Sequence, residues 1–231
     1  MDISEELLKK LQDEFQKKLS SHQTLLTVKD KIRFGTATYH EAHQYSVDIG
    51  QILAEVFQEN LSSDMLPHGR MYYNIAQKVI DPMMVENFNL VAENTVQIQE
   101  LLNNRAGISI AGQYPTLNQD RIDGLIQRLA DEEVFDNIKW ILGDPIVNFS
   151  QSIVDDTLKA NADFHYKSGL NPKIKRTANR GCCEWCSRIA GVYDYPVSNL
   201  DVYRRHKNCR CETDYDPGDG KTQNVWDKTW R

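Results

Sequence analysis

Apolar residues recur at every fourth position at the start of the chain: Ile3, Leu7, Leu11, Phe15 and Leu19. That spacing puts one apolar stripe on a helix. Thr38-Tyr39-His40-Glu41 has the form of a capping box, a hydroxyl and a carboxylate that satisfy the first free backbone donors of a helix. Behind it Tyr39, Ala42, Ile49, Leu53, Val56 and Phe57 keep helical spacing until Pro67 and Gly69 interrupt it. Met71 to Ile80 is helix-like, and Asp81-Pro82 reads as a fresh start that carries Phe88, Ala92, Gln99 and Leu102 to about Asn103. Gly107 to Pro115 is a loop, and Asn118 is placed to cap a helix bearing Ile122, Leu125, Ile126 and Leu129. Asp144-Pro145 repeats the Asp-Pro start and opens a long helix through Phe149, Ile153, Thr157, Ala160 and Phe164.

The texture changes after Ser168-Gly169-Leu170-Asn171-Pro172, which ends that helix. Lys173 to Arg176, the run from Ala190 to Pro196 and Cys211 to Tyr215 read as short strands, and Asp216-Pro217-Gly218-Asp219-Gly220 as a turn. Trp226 and Trp230, four apart, suit a short helix that docks both indoles. The fold class expected is mainly α. A helical region over 1–166 precedes a small Cys/His-rich α+β module over 167–231.

The 231 residues are enough to bury a core, and 40% are apolar and 26% charged, an ordinary composition for a water-soluble fold. No apolar stretch is long enough to cross a bilayer, and the acidic start Met1-Asp2-Ile3-Ser4-Glu5-Glu6 lacks the features of a secretory signal. The net charge of −6 is unevenly spread. Residues 167–231 hold 13 basic and 8 acidic side chains, +5, whereas residues 1–166 hold 14 and 25, −11. Such a sign change indicates two regions with different partners, or simply two solvated surfaces.

All five cysteines lie between positions 182 and 211. An odd, clustered set without an export signal argues against a disulfide framework. Cys183-Glu184-Trp185-Cys186 is followed, with nineteen residues between Cys186 and His206, by His206-Lys207-Asn208-Cys209-Arg210-Cys211. A Cys-x-x-Cys turn points two thiolates at one cation, and a second turn can complete a tetrahedron. The chemistry expected is a structural Zn2+ held by four of Cys183, Cys186, His206, Cys209 and Cys211. Cys182 is left out, since adjacent side chains point apart. Packed free thiols and a disulfide are the alternatives.

Catalytic metal motifs are missing. A zinc deaminase needs His-x-Glu ahead of Pro-Cys-x-x-Cys. A metallopeptidase needs His-Glu-x-x-His, and His40-Glu41-Ala42-His43 brings its second histidine one residue early. That stretch reads instead as an exposed helix start. No catalytic residue is assigned.

Lys173, Lys175, Arg176 and Arg180 form one basic group, and Arg204, Arg205, Lys207 and Arg210 a second around His206. Brought together, they would make a positive face for nucleic acid, with salt-dependent phosphate binding. The other reading is a solvated surface, or contacts with the acidic helical region.

Taken as a set, Cys183, Trp185 and Cys186, then Ala190, Gly191, Tyr193 and Tyr195, then Tyr203-Arg204-Arg205-His206, Asn208, Cys209, Arg210 and Cys211 resemble the C-terminal module of phage minor head proteins. These are the Mu gpF-like head morphogenesis group, in the form found in phages and prophages of Gram-positive bacteria. The run from Gln223 to Trp226, with Trp230, is similar too. The match covers about a quarter of the chain, and the doubled Cys182-Cys183 departs from the pattern. The resemblance implies a low-copy, non-enzymatic minor capsid protein, a virion component of the capsid interior or portal vertex. It would be made in the bacterial host cytoplasm and associate with the portal protein and other capsid components. It would influence DNA packaging or DNA ejection, with packaged DNA as a further partner and no membrane involved. The rival reading is a metal-dependent nuclease or other hydrolase of phage DNA processing.

Overall fold

The structure, a computed structural model, describes residues 3–217. It is mainly α, with a three-stranded antiparallel sheet near its C-terminal end. Helix α1 (Ile3–Ser21) buries Leu7, Leu11 and Phe15, the stripe its spacing defines. Helix α2 (Gln23–Arg33) follows after one residue and was not legible in the pattern. Helix α3 (Tyr39–Asn60) starts with the capping box: the Thr38 N–H donates to Glu41 Oε2 at 2.8 Å.

Helix α4 (Tyr73–Ala106) differs from expectation. It runs unbroken through Pro82, so Asp81-Pro82 is not a start. A proline inside a helix removes one backbone bond and costs roughly 3 kcal/mol. Here Val79, Ile80, Met83 and Met84 are all buried around it, and that packing outweighs the local penalty. The Asp81 carboxylate is used across helices instead, accepting from Gln119 Nε2 at 2.7 Å.

Helix α5 (Gln119–Asp131) is capped by Asn118, whose Oδ1 accepts from the Arg121 N–H at 3.2 Å. After the single-turn helix α6 (Phe135–Ile138), α7 (Asp144–Lys167) begins at the second Asp-Pro, with Gly143 rather than Asp144 at the cap position. Its buried face runs through Ile146, Ser150, Ile153, Val154, Thr157, Leu158, Asn161 and His165, which leaves Phe164 exposed. Helices α3 and α7 form the most extensive helix–helix contact. At Gly50 the backbones come so close that a Cβ would sit 2.8 Å from Val147 Cα.

Strands β1 (Lys173–Thr177), β2 (Gly191–Asp194) and β3 (Glu212–Asp216) form the sheet in the order β2-β1-β3. Ile174 pairs with Tyr193 on one side and Tyr215 on the other. The single-turn helix α8 (Glu184–Arg188) lies between β1 and β2. The sheet is not a separate body. Strand β3 packs on α3 and α7, and Ile174, Val197, Val202 and Tyr215 join the same hydrophobic core as the helices. The change of texture near position 167 is therefore a change of secondary structure across one continuous core. The proposed tail helix with Trp226 and Trp230, and most of the turn at 216–220, lie outside the described residues.

Candidate metal centre

The two cysteine motifs meet. Cys183 precedes α8, and its Sγ accepts from the Cys186 N–H at 3.5 Å, the tight turn expected of Cys-x-x-Cys. His206 to Cys209 forms the opposing turn, closed by a Cys209 N–H bond to the His206 carbonyl at 3.0 Å. That turn puts Asn208 at φ 58°, a left-handed conformation asparagine tolerates better than most residues. The Asn208 N–H is anchored on Asp144 Oδ2 at 2.9 Å. So the acid at the start of α7 also pins the histidine turn to that helix.

The donors fall into two triads that share Cys186: Cys183, Cys186 and His206, and Cys186, Cys209 and Cys211. Within each, the donor atoms lie within 4.8 Å of one another. His206 Nε2 is 3.0 Å from Cys186 Sγ and 3.3 Å from Cys183 Sγ, and Cys186 Sγ is 3.9 Å from Cys209 Sγ. A tetrahedral zinc with ordinary Zn–S and Zn–N bonds separates its donors by about 3.6–3.8 Å, in the range these contacts span. The His206 Nδ1 lies 2.7 Å from the Lys207 carbonyl, so it carries the proton and leaves the Nε2 lone pair facing the thiols. No disulfide joins the cysteines. Cys182 belongs to neither triad, its Sγ resting 3.2 Å from Ser187 Oγ. The residues present fit a structural divalent metal, and neither triad includes a carboxylate.

Burial pushes the Cys186 thiol well up, with Cys211 and Cys209 adding to the effect. Cys209 behaves differently: desolvation acts to raise it, but the Cys211 backbone and the charges of Arg205 and Arg176 outweigh that and bring it down. A cation is what would let the whole set ionise together.

The eight basic residues do not form one face. Arg176 is only 1% exposed, on the inward side of β1, and donates to the carbonyls of Val202 at 2.6 Å and Arg204 at 3.1 Å. Arg205 is buried against Asp155, with Nε–Oδ2 at 2.5 Å and Nη2–Oδ1 at 2.8 Å. These two are corrections to the nucleic-acid reading: an interior guanidinium cannot meet a phosphate backbone. Arg210 leans on Asp144 at 3.8 Å, Lys173 on Asp194 at 3.2 Å and Arg204 on Asp201 at 3.0 Å. Lys175, Arg180 and Lys207 are exposed, with no ion pair among the described residues. Much of the module's positive charge is thus matched internally, Arg205 and Arg210 by acids of the helical region.

Several buried residues that matter here carried no motif. Asp155 accepts from the Thr213 hydroxyl at 2.6 Å as well as from Arg205, whose Nη1 holds the Cys211 carbonyl at 2.7 Å. His43 lies in the same network, Nε2 at 2.8 Å from the Thr213 carbonyl and Nδ1 at 3.3 Å from Arg205 Nη2. Burial, then the Arg205 charge, lowers its pKa to about 4, so it is neutral. Glu41 is equally buried and takes the Lys31 ammonium at 2.7 Å. The stretch from His40 to His43 is the helix start expected but only its first residue is exposed: Glu41, Ala42 and His43 are buried. Strand β3 reaches it from two residues, Thr213 at His43 and Glu212, which accepts from His40 at 2.8 Å.

Beside the His206 turn is a cleft of about 720 Å³ lined by Arg121, Trp140, Asn148, Asp156, Tyr203 and Lys207 among others. Burial, then the Asp155 charge, raises Asp156 to about 6. No helix of the described residues is long and apolar enough to cross a membrane. No family model, curated protein or solved structure matches the chain.

Proposed function

We propose that the chain is a phage minor head protein with no catalytic activity of its own. Its C-terminal module is a metal-braced clasp on a helical body. The observation that carries this reading is the meeting of the two motif halves, Cys183 with Cys186 and His206 with Cys209 and Cys211, around the shared Cys186. Those are the residues on which the resemblance to the Mu gpF-like head morphogenesis group rests. Zn2+ is the cation this donor set suits best, and it would supply folding energy to loops that bury little apolar surface.

In this reading the protein is a low-copy part of the virion, beside the portal during head assembly. Of the eight basic residues of the two groups, exposed Lys175, Arg180 and Lys207 have no ion pair among the described residues and are the ones best placed to meet packaged DNA. The donor cluster offers no carboxylate of the kind a hydrolytic metal site uses, which favours assembly over the nuclease reading.

Quantitative mass spectrometry of purified virions of the encoding phage or prophage tests this. A few copies per particle, near or below the portal count, support it. Absence from particles despite clear expression in infected cells overturns it. Co-expressed portal protein should co-elute with the chain at moderate salt.

A further inference from the structure

Arg176 is a buried cation without an acid. A guanidinium stays protonated in proteins. This one makes no ion pair among the described residues, and its Nε finds no hydrogen-bond partner. Its contacts are two backbone carbonyls and, from Nη2, the Cys209 sulfur at 3.7 Å. Carbonyl dipoles soften a buried charge but do not cancel it. The neighbouring guanidinium shows the contrast, since Arg205 is fully matched by Asp155.

The missing negative charge has one source within reach. Any four of the five candidate donors, deprotonated around a divalent cation, leave a net negative centre. With His206 among them there are three thiolates and one excess negative charge. Without it there are four thiolates and two. One unmatched guanidinium answers the first arrangement.

We infer that Arg176 is the counter-cation of the metal centre, and that metal binding draws His206 of one triad and Cys209 of the other together around the shared Cys186, with one further thiolate, into a single centre of three thiolates and His206. This rests on the metal-centre reading above. Arg176 acts through Cys209 and is a positioning residue. The register of β1 puts it there: Ile174 and Arg176 share the inward face, and Arg176 pairs with Thr213 two residues past Cys211.

The test uses the purified full chain, with zinc as the probe. Zinc affinity is measured by competition with a chromophoric chelator for the wild type, Arg176→Met and Arg176→Lys. Melting temperature is measured with and without metal. Arg176→Met should weaken zinc binding by about ten- to a hundredfold, the usual effect of losing a residue that supports a metal ligand. It should also shrink the rise in melting temperature on metal binding without lowering that of the metal-free protein. Arg176→Lys, which keeps the charge, should restore most of both. Equal losses with and without metal in Arg176→Met would mark a merely structural role and overturn the inference. Should that variant fail to fold, the cobalt-substituted wild type still decides: a ligand-field spectrum of three thiolates and one imidazole supports it, and that of four thiolates overturns it. Wild-type protein that binds no zinc or cobalt overturns the metal centre itself, a failure distinct from either.

Discussion

Asp155→Ala is the substitution that most directly probes how the module is fastened to the helices. Asp155 is 1% exposed by side chain and Arg205 3%, and the two share a two-point ion pair. The same carboxylate accepts from the Thr213 hydroxyl at 2.6 Å. Removing it strands a buried guanidinium between His43 and the Cys211 carbonyl. Breaking one side of a buried pair costs about 3–5 kcal/mol. For a chain of this length each kcal/mol is worth about 2–4 °C, so the melting temperature should fall by about 6–20 °C at neutral pH. Calorimetry gives the size of the effect. Hydrogen exchange read by mass spectrometry should place the new mobility in β3 and the His206 turn. The double variant Asp155→Leu with Arg205→Met should recover most of the loss, because an apolar pair of similar volume leaves no stranded charge. An Asp155→Ala protein within about 1 kcal/mol of the wild type, with unchanged exchange in β3, would refute the reasoning.

Gly50→Ala should destabilise by about 1–3 kcal/mol, since its methyl would meet Val147 Cα at 2.8 Å and Ser150 Oγ at 2.7 Å, whereas Gly124→Ala, in open space on α5, should stabilise by up to about 1 kcal/mol; denaturant midpoints of the pair check both. His43 and Asp156 pull stability in opposite directions on acidification. The lowered His43 pKa, about 4 against 6.5, contributes stability that is lost as pH falls through that window, and the raised Asp156 pKa, about 6 against 3.8, imposes a cost that is relieved as pH falls. Asp156→Asn should therefore be more stable than the wild type at pH 7 and lose more stability between pH 7 and 4.5. An identical loss in both proteins would sink that account. Cys186→Ser should abolish zinc binding because both triads share that sulfur, while Cys182→Ser should bind zinc like the wild type; metal analysis of the purified variants decides it.

The helices were legible wherever one face is buried and the cap uses local chemistry. Thr38 with Glu41, and Asn118, both announced their helices correctly. Asp81-Pro82 misled because a start signal is local while the forces on α4 are not: buried side chains on either side of Pro82 hold the helix together across the lost bond. Helix α2 was missed because its stripe, Leu25 and Val28 buried, is too short to stand out of an eleven-residue segment. The three strands were legible as short runs between turn residues, with alternation as a further signal in β3.

Charge was the harder reading, and the reason is geometric. Lys173, Lys175, Arg176 and Arg180 read as one basic group, but a strand sends alternate residues to opposite faces. Once Ile174 is taken as the core-facing residue, Arg176 must face inward with it, and the run divides into exposed Lys175 and buried Arg176. The strand assignment already contained that division. Arg205 had no such signal, because its partner Asp155 lies fifty positions earlier on a helix, and only the docking of the module on α7 brings them together. The same docking turns the opposite net charges of the two regions into a means of assembly within the chain. Acids of α7 take Arg205 and Arg210, and of the two basic groups Lys175, Arg180 and Lys207 are the exposed members with no ion pair among the described residues. Within the two basic groups an anionic partner meets these three side chains unpaired, so reversing them together should lower the salt dependence of DNA binding, while Arg205 governs whether the module stays fastened to the helices.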